Sequence, residues 1–239
     1  MESKPPRPPP PPQRSSILGR LIKMDTAVSL HLHTTAQPLL PRSLLKTLEI
    51  SGDGRLFFPL TISLLLSPLS TTTTSTSTSS PLLFSLLADL LIGGLLDLLF
   101  VGLIKHLVRR PRPVYNKDMF LTFSVDHWSF PSGHSSRVCF VASFLCLSSA
   151  LIGQAITQLR SSRFEFVDKL FNLVDFYDGK AVDFVVLVVS LWAVATSVSR
   201  VLLGRHFVCD VIAGACLGVV EALLVFHFLN YSILVSKFL

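Results

Sequence analysis

Residues 81–104, 138–156, 182–198 and 207–229 carry at most two charges each, and each stretch is close to or beyond the length of helix that crosses a bilayer. A fifth apolar stretch, 56–70, is shorter and is broken by Pro59 and Pro68, so it either crosses imperfectly or re-enters. Hydrocarbon offers no partner to a backbone N–H or C=O, and a chain with such runs has to close its hydrogen bonds within helices. The expected fold class is therefore all-α, a polytopic membrane helical bundle of about five spans. Composition agrees: only 15% of the residues are charged, against about 25% in soluble domains. A net charge of +6 would also suit nucleic acid, but the basic residues cluster beside the apolar runs, where they set orientation.

The rest of the chain is organised around these runs. Residues 1–16 hold seven of the fifteen prolines, lack the apolar core of a secretory signal, and are expected to be a disordered or polyproline tail. Pro9 to Arg14 fits a PxxPxR ligand for an SH3-type partner. Residues 17–55 form an interfacial segment in which Ile17, Leu18, Leu21 and Ile22 recur at helical spacing with Arg20 and Lys23 between them. The run Ser51-Gly-Asp-Gly54 reads as a turn. A membrane-embedded domain then occupies 56–239, with a polar link of Thr and Ser alone at 71–80 and a polar insert at 157–181. Cys139, Cys146, Cys209 and Cys216 lack the spacing of a metal or redox site and read as packing residues.

If all five stretches cross, the loops 105–137 and 199–206 share a face with the N-terminus. That face holds sixteen of the 21 Lys and Arg residues, against five opposite. The positive-inside rule then places the N-terminus and both loops in the cytosol. The membrane most consistent with this is the endoplasmic reticulum, with a plastid membrane as the alternative.

Three short motifs fall on those two loops. Lys105 stands seven residues before Arg112-Pro113; Pro131-Ser132-Gly133-His134 opens the next span; and Ser199-Arg200 is followed by His206 and, four residues on, Asp210. A phosphate ester carries up to two negative charges and needs several fixed cations and amide donors before it can be attacked. Lys105, Arg112 and Arg200 supply the cations. Ser132 and Gly133 stand where a helix begins, and the free amides there can cradle an anion. The missing side chain of Gly133 permits close approach of phosphate to the main chain. His206 and Asp210 are one helical turn apart, and the carboxylate can take a hydrogen bond from one ring nitrogen, leaving the other as a nucleophile. Arg109, Arg110 and Arg137 read as snorkelling residues at the membrane edge. His127 reads as a loop residue or pocket wall, and Asp89, Asp97 and Glu221 as interior polar contacts.

The three motifs, in this order and at these spacings, resemble the type-2 phosphatidate phosphatase superfamily of lipid phosphate phosphatases. The resemblance covers about residues 25–230. It implies that His206 attacks phosphorus and becomes phosphohistidine, with Asp210 behind it. His134 would protonate the departing lipid oxygen and later activate water. Lys105, Arg112, Ser132, Gly133 and Arg200 would bind phosphate, with no metal and no cofactor. The Glu49-Ile-Ser-Gly-Asp-Gly-Arg55 stretch, Ser129-Phe130 before the Pro-Ser-Gly-His motif, and Leu203-Gly-Arg-His206 are similar to the presqualene and polyisoprenoid diphosphate phosphatase branch. That branch includes plant beta-type lipid phosphate phosphatases, and phosphatidate is the other substrate class implied. The insert at 157–181 departs from the pattern. Two other readings share these motifs: a haloperoxidase-like enzyme, and a catalytically silent membrane scaffold or transporter of the same fold.

Overall fold

In the computed structural model of the protein, the described residues are 17–67, 81–115, 127–161 and 178–238. The Pro-rich tail with its SH3-type ligand, the Thr/Ser link and most of the polar insert lie outside them. The elements in chain order are α1 (Ile17–Ala36), α2 (Arg42–Ser51), α3 (Gly54–Leu65), α4 (Pro81–Val108), α5 (Gly133–Leu147), α6 (Ser149–Ser161), α7 (Asp178–Leu202) and α8 (Val208–Leu224). A single π-helical turn, Val225–Leu229, leads from α8 to α9 (Tyr231–Phe238). Among the described residues the nearest thing to a strand is one antiparallel bridge, Pro111 with Trp128. The protein is all-α, as the apolar runs require.

The count of about five spans is not confirmed. Among the described residues, three helical stretches are long and apolar enough to cross a membrane: Pro81–Val108, Val182–Leu202 and Val208–Lys237. The expected span at 138–156 is a pair, Gly133–Leu147 and Ser149–Thr157, bent by 67° at Ser148, which brings the count to four if the pair is one span. Of the stretch read as 56–70, residues 68–70 lie outside the described residues. It takes its helix from α3, which is twelve residues long from Gly54 to Leu65 with Pro59 inside it. At 1.5 Å per residue that is about 18 Å, well short of a hydrocarbon core of about 30 Å. The three long helices turn rows of Leu, Val and Ile outward, among them Leu95, Leu99 and Leu103 on α4 and Leu187, Leu191 and Val194 on α7. Such rows suit acyl chains, and the protein is an integral membrane protein.

Between helices in lipid the hydrophobic effect contributes little, so contact depends on close packing and hydrogen bonds. Small residues provide it. α5 lies at the centre and packs most extensively along α8. A Cβ on Gly214 would run into the Ser132 carbonyl, and one on Gly218 into the Ser136 carbonyl and the Phe140 amide. On the other side of α5 the Phe140 ring fills the space over Gly93 of α4. Phe140, Phe144, Ala222 and Val225 form the dry centre. Three acidic residues of the spans make the interior contacts expected of them. Asp97 accepts from Arg137 Nη2 at 2.8 Å, Glu221 from Ser136 Oγ at 3.4 Å, and Asp89 from the Tyr231 amide at 2.5 Å. Arg137 is thus a buried partner of Asp97, not the membrane-edge residue it was read as.

The segment read as interfacial is helical, but it is buried by its polar side. Asp25, Ser29 and His33, spaced four apart on α1, are buried, while Ile17, Leu18, Leu21, Ile22, Met24 and Val28 are exposed. The buried stripe closes onto the start of α8. Asp25 Oδ1 accepts from the Cys209 amide, Ser29 Oγ from the Val208 amide, and His33 Nδ1 meets the Leu202 carbonyl at 2.7 Å. The two amides are among those that every helix start leaves without an internal acceptor.

Candidate active site

The end of α4, the start of α5, the end of α7 and the start of α8 come together at one end of the bundle. Lys105 lies in the last turn of α4 and is buried; Arg200 lies in the last turn of α7 and is fully buried. Past α7 the chain turns sharply, with the amides of Arg205 and His206 both donating to the Arg200 carbonyl, at 2.9 and 3.2 Å. Gly204 adopts φ +71° in this turn, a conformation open to glycine at little cost. His206 therefore sits just ahead of α8, not within it, and is held to Arg200 through the main chain.

The His206 ring is fixed at both nitrogens. Nδ1 lies 2.7 Å from the Ser129 carbonyl and Nε2 lies 3.2 Å from Arg112 Nη1. A carbonyl can only accept and a guanidinium can only donate, so the proton belongs on Nδ1 and Nε2 presents a lone pair. Burial, together with the charges of Arg112, Arg200 and Lys105, pushes the pKa of His206 well below its ordinary value. The ring is neutral at physiological pH, as a nucleophilic nitrogen must be.

The expected bond from His206 to Asp210 is not made. Asp210 Oδ2 is 3.8 Å from Nδ1 and instead accepts the Phe207 amide at 2.9 Å, half of a capping box at the start of α8. Its other oxygen accepts from Arg110 Nη1 at 2.7 Å, while Arg110 Nη2 binds Asp25 Oδ2 at 2.7 Å. The Arg110 guanidinium also lies 4.1 Å from the centre of the Phe207 ring. Arg110, read from the sequence as a snorkelling side chain, is thus held partly buried between two buried carboxylates at the root of the His206 loop. Its neighbour Arg109 does turn outward, with φ 51° and Nε donating to the His106 carbonyl.

The loop that carries Ser129 is tied to the loop that carries Arg112. The Ser129 amide donates to the Arg110 carbonyl at 2.8 Å and Ser129 Oγ to the Pro111 carbonyl at 3.0 Å. Arg112 Nη1 also donates to the Arg205 carbonyl at 2.9 Å. Ser132 caps α5 by accepting from the Ser135 amide, and its own amide donates to the Asp210 carbonyl at 2.9 Å. That last bond joins the starts of α5 and α8, whose positive ends then face the same space. Gly133 has a second reason to lack a side chain, since a Cβ there would lie 3.2 Å from Val101 of α4. His134, in the first turn of α5, has its Nε2 3.7 Å from Asp53 Oδ2, the N-cap of α3.

All eight residues singled out in the sequence, Lys105, Arg112, Ser132, Gly133, His134, Arg200, His206 and Asp210, lie on these four helix ends and the loops joining them. Five participants escaped the sequence reading: Arg110, Ser129 through its carbonyl, Asp25, Glu49 and Asp53. Glu49, near the end of α2, accepts from Arg200 Nη1 at 2.5 Å and from Arg205 Nε at 3.2 Å. The arrangement offers an anion a cluster of cations and two helix starts, beside a neutral imidazole whose Nε2 lone pair meets Arg112.

The chain is similar to several known proteins. The Arabidopsis thaliana protein named "Probable lipid phosphate phosphatase beta" is 43% identical over 216 residues, which cover 90% of this chain and 93% of that one. Two solved structures share the fold. The transmembrane PAP2-type phosphatidylglycerolphosphate phosphatase of Bacillus subtilis has a TM-score of 0.58 at 21% identity, covering 92% of this chain and 88% of its own. Aquifex aeolicus LpxE has a TM-score of 0.53 at 19% identity, covering 86% of this chain and 96% of its own. The profile of the PAP2 superfamily matches residues 81–234, the stretch that contains every motif residue above, and the chain belongs to that superfamily.

Proposed function

We propose that this protein is a metal-independent lipid phosphate phosphatase that works through a phosphohistidine on His206. The observation that carries the reading is the state of that ring: Nδ1 is tied to a main-chain carbonyl, and Nε2 keeps a lone pair among arginines. In the first step Nε2 attacks the terminal phosphorus and its bond to the leaving oxygen breaks, the ester oxygen of a phosphatidate or the bridging oxygen of a diphosphate. His134 gives that oxygen its proton. In the second step His134 takes a proton from water, whose oxygen attacks phosphorus; the P–N bond breaks and orthophosphate leaves. Lys105, Arg112 and Arg200, with the amides at Ser132 and Gly133, hold the phosphoryl oxygens and stabilise the charge that builds on them. Asp210 acts one step removed, fixing the helix start that follows His206.

The substrate is a polyisoprenoid diphosphate or a phosphatidate. The name of the Arabidopsis relative supports a lipid phosphate, and the Glu49-to-Arg55 and Leu203-to-His206 stretches support the diphosphate branch. Asp25 of α1 and Glu49 of α2 reach site residues, so the basic residues of those helices stay on the site face whether or not α3 crosses, and by their excess the site faces the cytosol, at the endoplasmic reticulum. A glycosylation acceptor inserted after Pro113 is expected to stay unmodified, and its modification would overturn this orientation.

The mechanism is tested with detergent-purified protein, radiolabelled lipid phosphate and a rapid acid-free quench. Wild type should show phosphate bound in an acid-labile, base-stable linkage, and excess EDTA should leave turnover unchanged. His206→Ala should lose both turnover and label, and His134→Ala should lose about 10²–10⁴-fold in rate, the usual contribution of a general acid. Wild-type turnover in His206→Ala, or a strict requirement for added Mg²⁺, would sink the reading.

A further inference from the structure

The site is completed by a carboxylate from outside the segment that the superfamily profile matches, since that segment begins at residue 81. α2 ends against α7, where Trp192 Nε1 donates to Ser51 Oγ at 2.9 Å. The corner between α2 and α3 presses so closely on the site that a Cβ on Gly52 would stand 2.8 Å from Thr196 and 3.0 Å from Val138. Glu49 reaches inward from this corner to Arg200 Nη1. Burial raises the Glu49 pKa, but the charges and hydrogen bonds of Arg200 and Arg205 outweigh it and hold the carboxyl below its ordinary range. Glu49 is therefore ionised at neutral pH.

A guanidinium offers its five N–H groups in a fixed plane, and a phosphate is best held by two parallel bonds from one edge of that plane. In Arg200, Nη1 is taken by Glu49, whereas Nε and Nη2 are buried and have no hydrogen-bond partner among the described residues. Nε and Nη2 form one edge. A buried arginine with an unfilled two-donor edge is set for an anion with two oxygens.

We propose that Glu49 is a positioning residue for phosphoryl transfer, holding Arg200 by Nη1 so that its Nε–Nη2 edge faces the phosphoryl group under attack by His206. The proposal rests on the preceding reading of Arg200 as a phosphate ligand. The role belongs to the acceptor oxygen of Glu49 and not to its charge, because a second negative charge beside the substrate opposes binding. This gives an order of variants that a plain structural or electrostatic role does not. Glu49→Gln keeps an acceptor at the same reach and should retain kcat/KM within about fivefold. Glu49→Ala releases the guanidinium and should lose about a hundredfold, the effect of a catalytic group misplaced by about 1 Å. Glu49→Asp keeps the charge but withdraws the acceptor by one methylene, and should be the worse of the two acceptor-bearing variants.

The experiment uses the full chain in detergent, with a short-chain phosphatidate as substrate and orthovanadate as the probe of the five-coordinate state. The inhibition constant for vanadate in Glu49→Ala should rise by the same factor by which kcat/KM falls, with KM changed little. An unchanged vanadate constant in Glu49→Ala, or equal losses in Gln and Ala, would overturn the proposal. Should Glu49→Ala fail to accumulate, the order of Gln above Asp decides alone, and the reverse order refutes it. Arg200→Ala separates the two levels of the argument. A raised vanadate constant in Arg200→Ala with none in Glu49→Ala removes only the role of Glu49. An unchanged constant in Arg200→Ala removes the phosphate-ligand reading on which it rests.

Discussion

Replacing Arg110 by alanine should destabilise the protein far more than loss of a membrane-edge cation would. The side chain is 17% exposed, and its two carboxylate partners, Asp25 and Asp210, are 4% and 0% exposed. Removing the cation leaves both carboxylates buried without their counter-charge. Breaking a buried pair by deleting one partner costs about 3–5 kcal/mol, whereas an exposed ion pair contributes about 0–1 kcal/mol. For a chain of this length each kcal/mol moves the melting temperature by about 2–4 °C, so Arg110→Ala should melt about 6–20 °C lower. Trp128 and Trp192 both lie near this end of the bundle and provide a fluorescence signal for thermal unfolding in detergent at a fixed scan rate. The double variant Arg110→Ala/Asp25→Asn removes one of the uncompensated charges and should recover about half the loss. A single variant that melts within 2 °C of wild type, on the scale of a surface pair, would refute the reasoning. So would a double variant no more stable than the single.

The glycine contacts and the state of His206 give two further expectations. Gly218→Ala drives a Cβ into main-chain atoms of α5 and should prevent accumulation of folded protein, whereas Gly102→Ala, with open space around it, should be indistinguishable from wild type in yield and melting. Equal yields would show that the α5–α8 contact is looser than described. Because the folded pKa of His206 is depressed, the unfolded chain binds more protons than the folded one below about pH 6.5, and stability falls as pH drops through that value. The melting temperature should therefore decline from pH 7 to pH 5, and His206→Gln should flatten the decline; an unflattened slope would assign it to other groups.

The parts of the site visible in the sequence share a physical cause. A helix that crosses a membrane delivers its two ends to opposite faces, so Lys105, the Ser132-Gly-His run, Arg200 and His206, all beside apolar runs, had to meet at a face. What stayed hidden lies either in the main chain or far away in sequence. The acceptor for His206 Nδ1 is the carbonyl of Ser129, and a carbonyl carries no residue identity. Arg109 and Arg110 are the same residue type side by side. Only the positive φ at Arg109 sends one outward and the other between Asp25 and Asp210. Asp25 and Glu49 belong to helices whose apolar residues suggested a membrane surface, while these two side chains turn inward to Arg110 and Arg200. The count of about five spans is left unconfirmed where geometry departs from hydropathy. Nothing apolar marks the 67° bend at Ser148, and α3 stops after twelve residues.

The bond from the Ser132 amide to the Asp210 carbonyl, together with the contacts at Gly214 and Gly218, welds the starts of α5 and α8 into one piece. Those starts bear His134 on one side and, on the other, Asp210 with His206 directly ahead of it. The two histidines cannot drift apart without prising open the tightest seam in the bundle. Fraying on warming would begin at the outer helices α1 and α2, loosening Asp25 from Arg110 and Glu49 from Arg200 while the two histidines stay together. An enzyme built this way should lose its rate by degrees as those helices loosen, and lose its paired imidazoles only when the bundle itself melts.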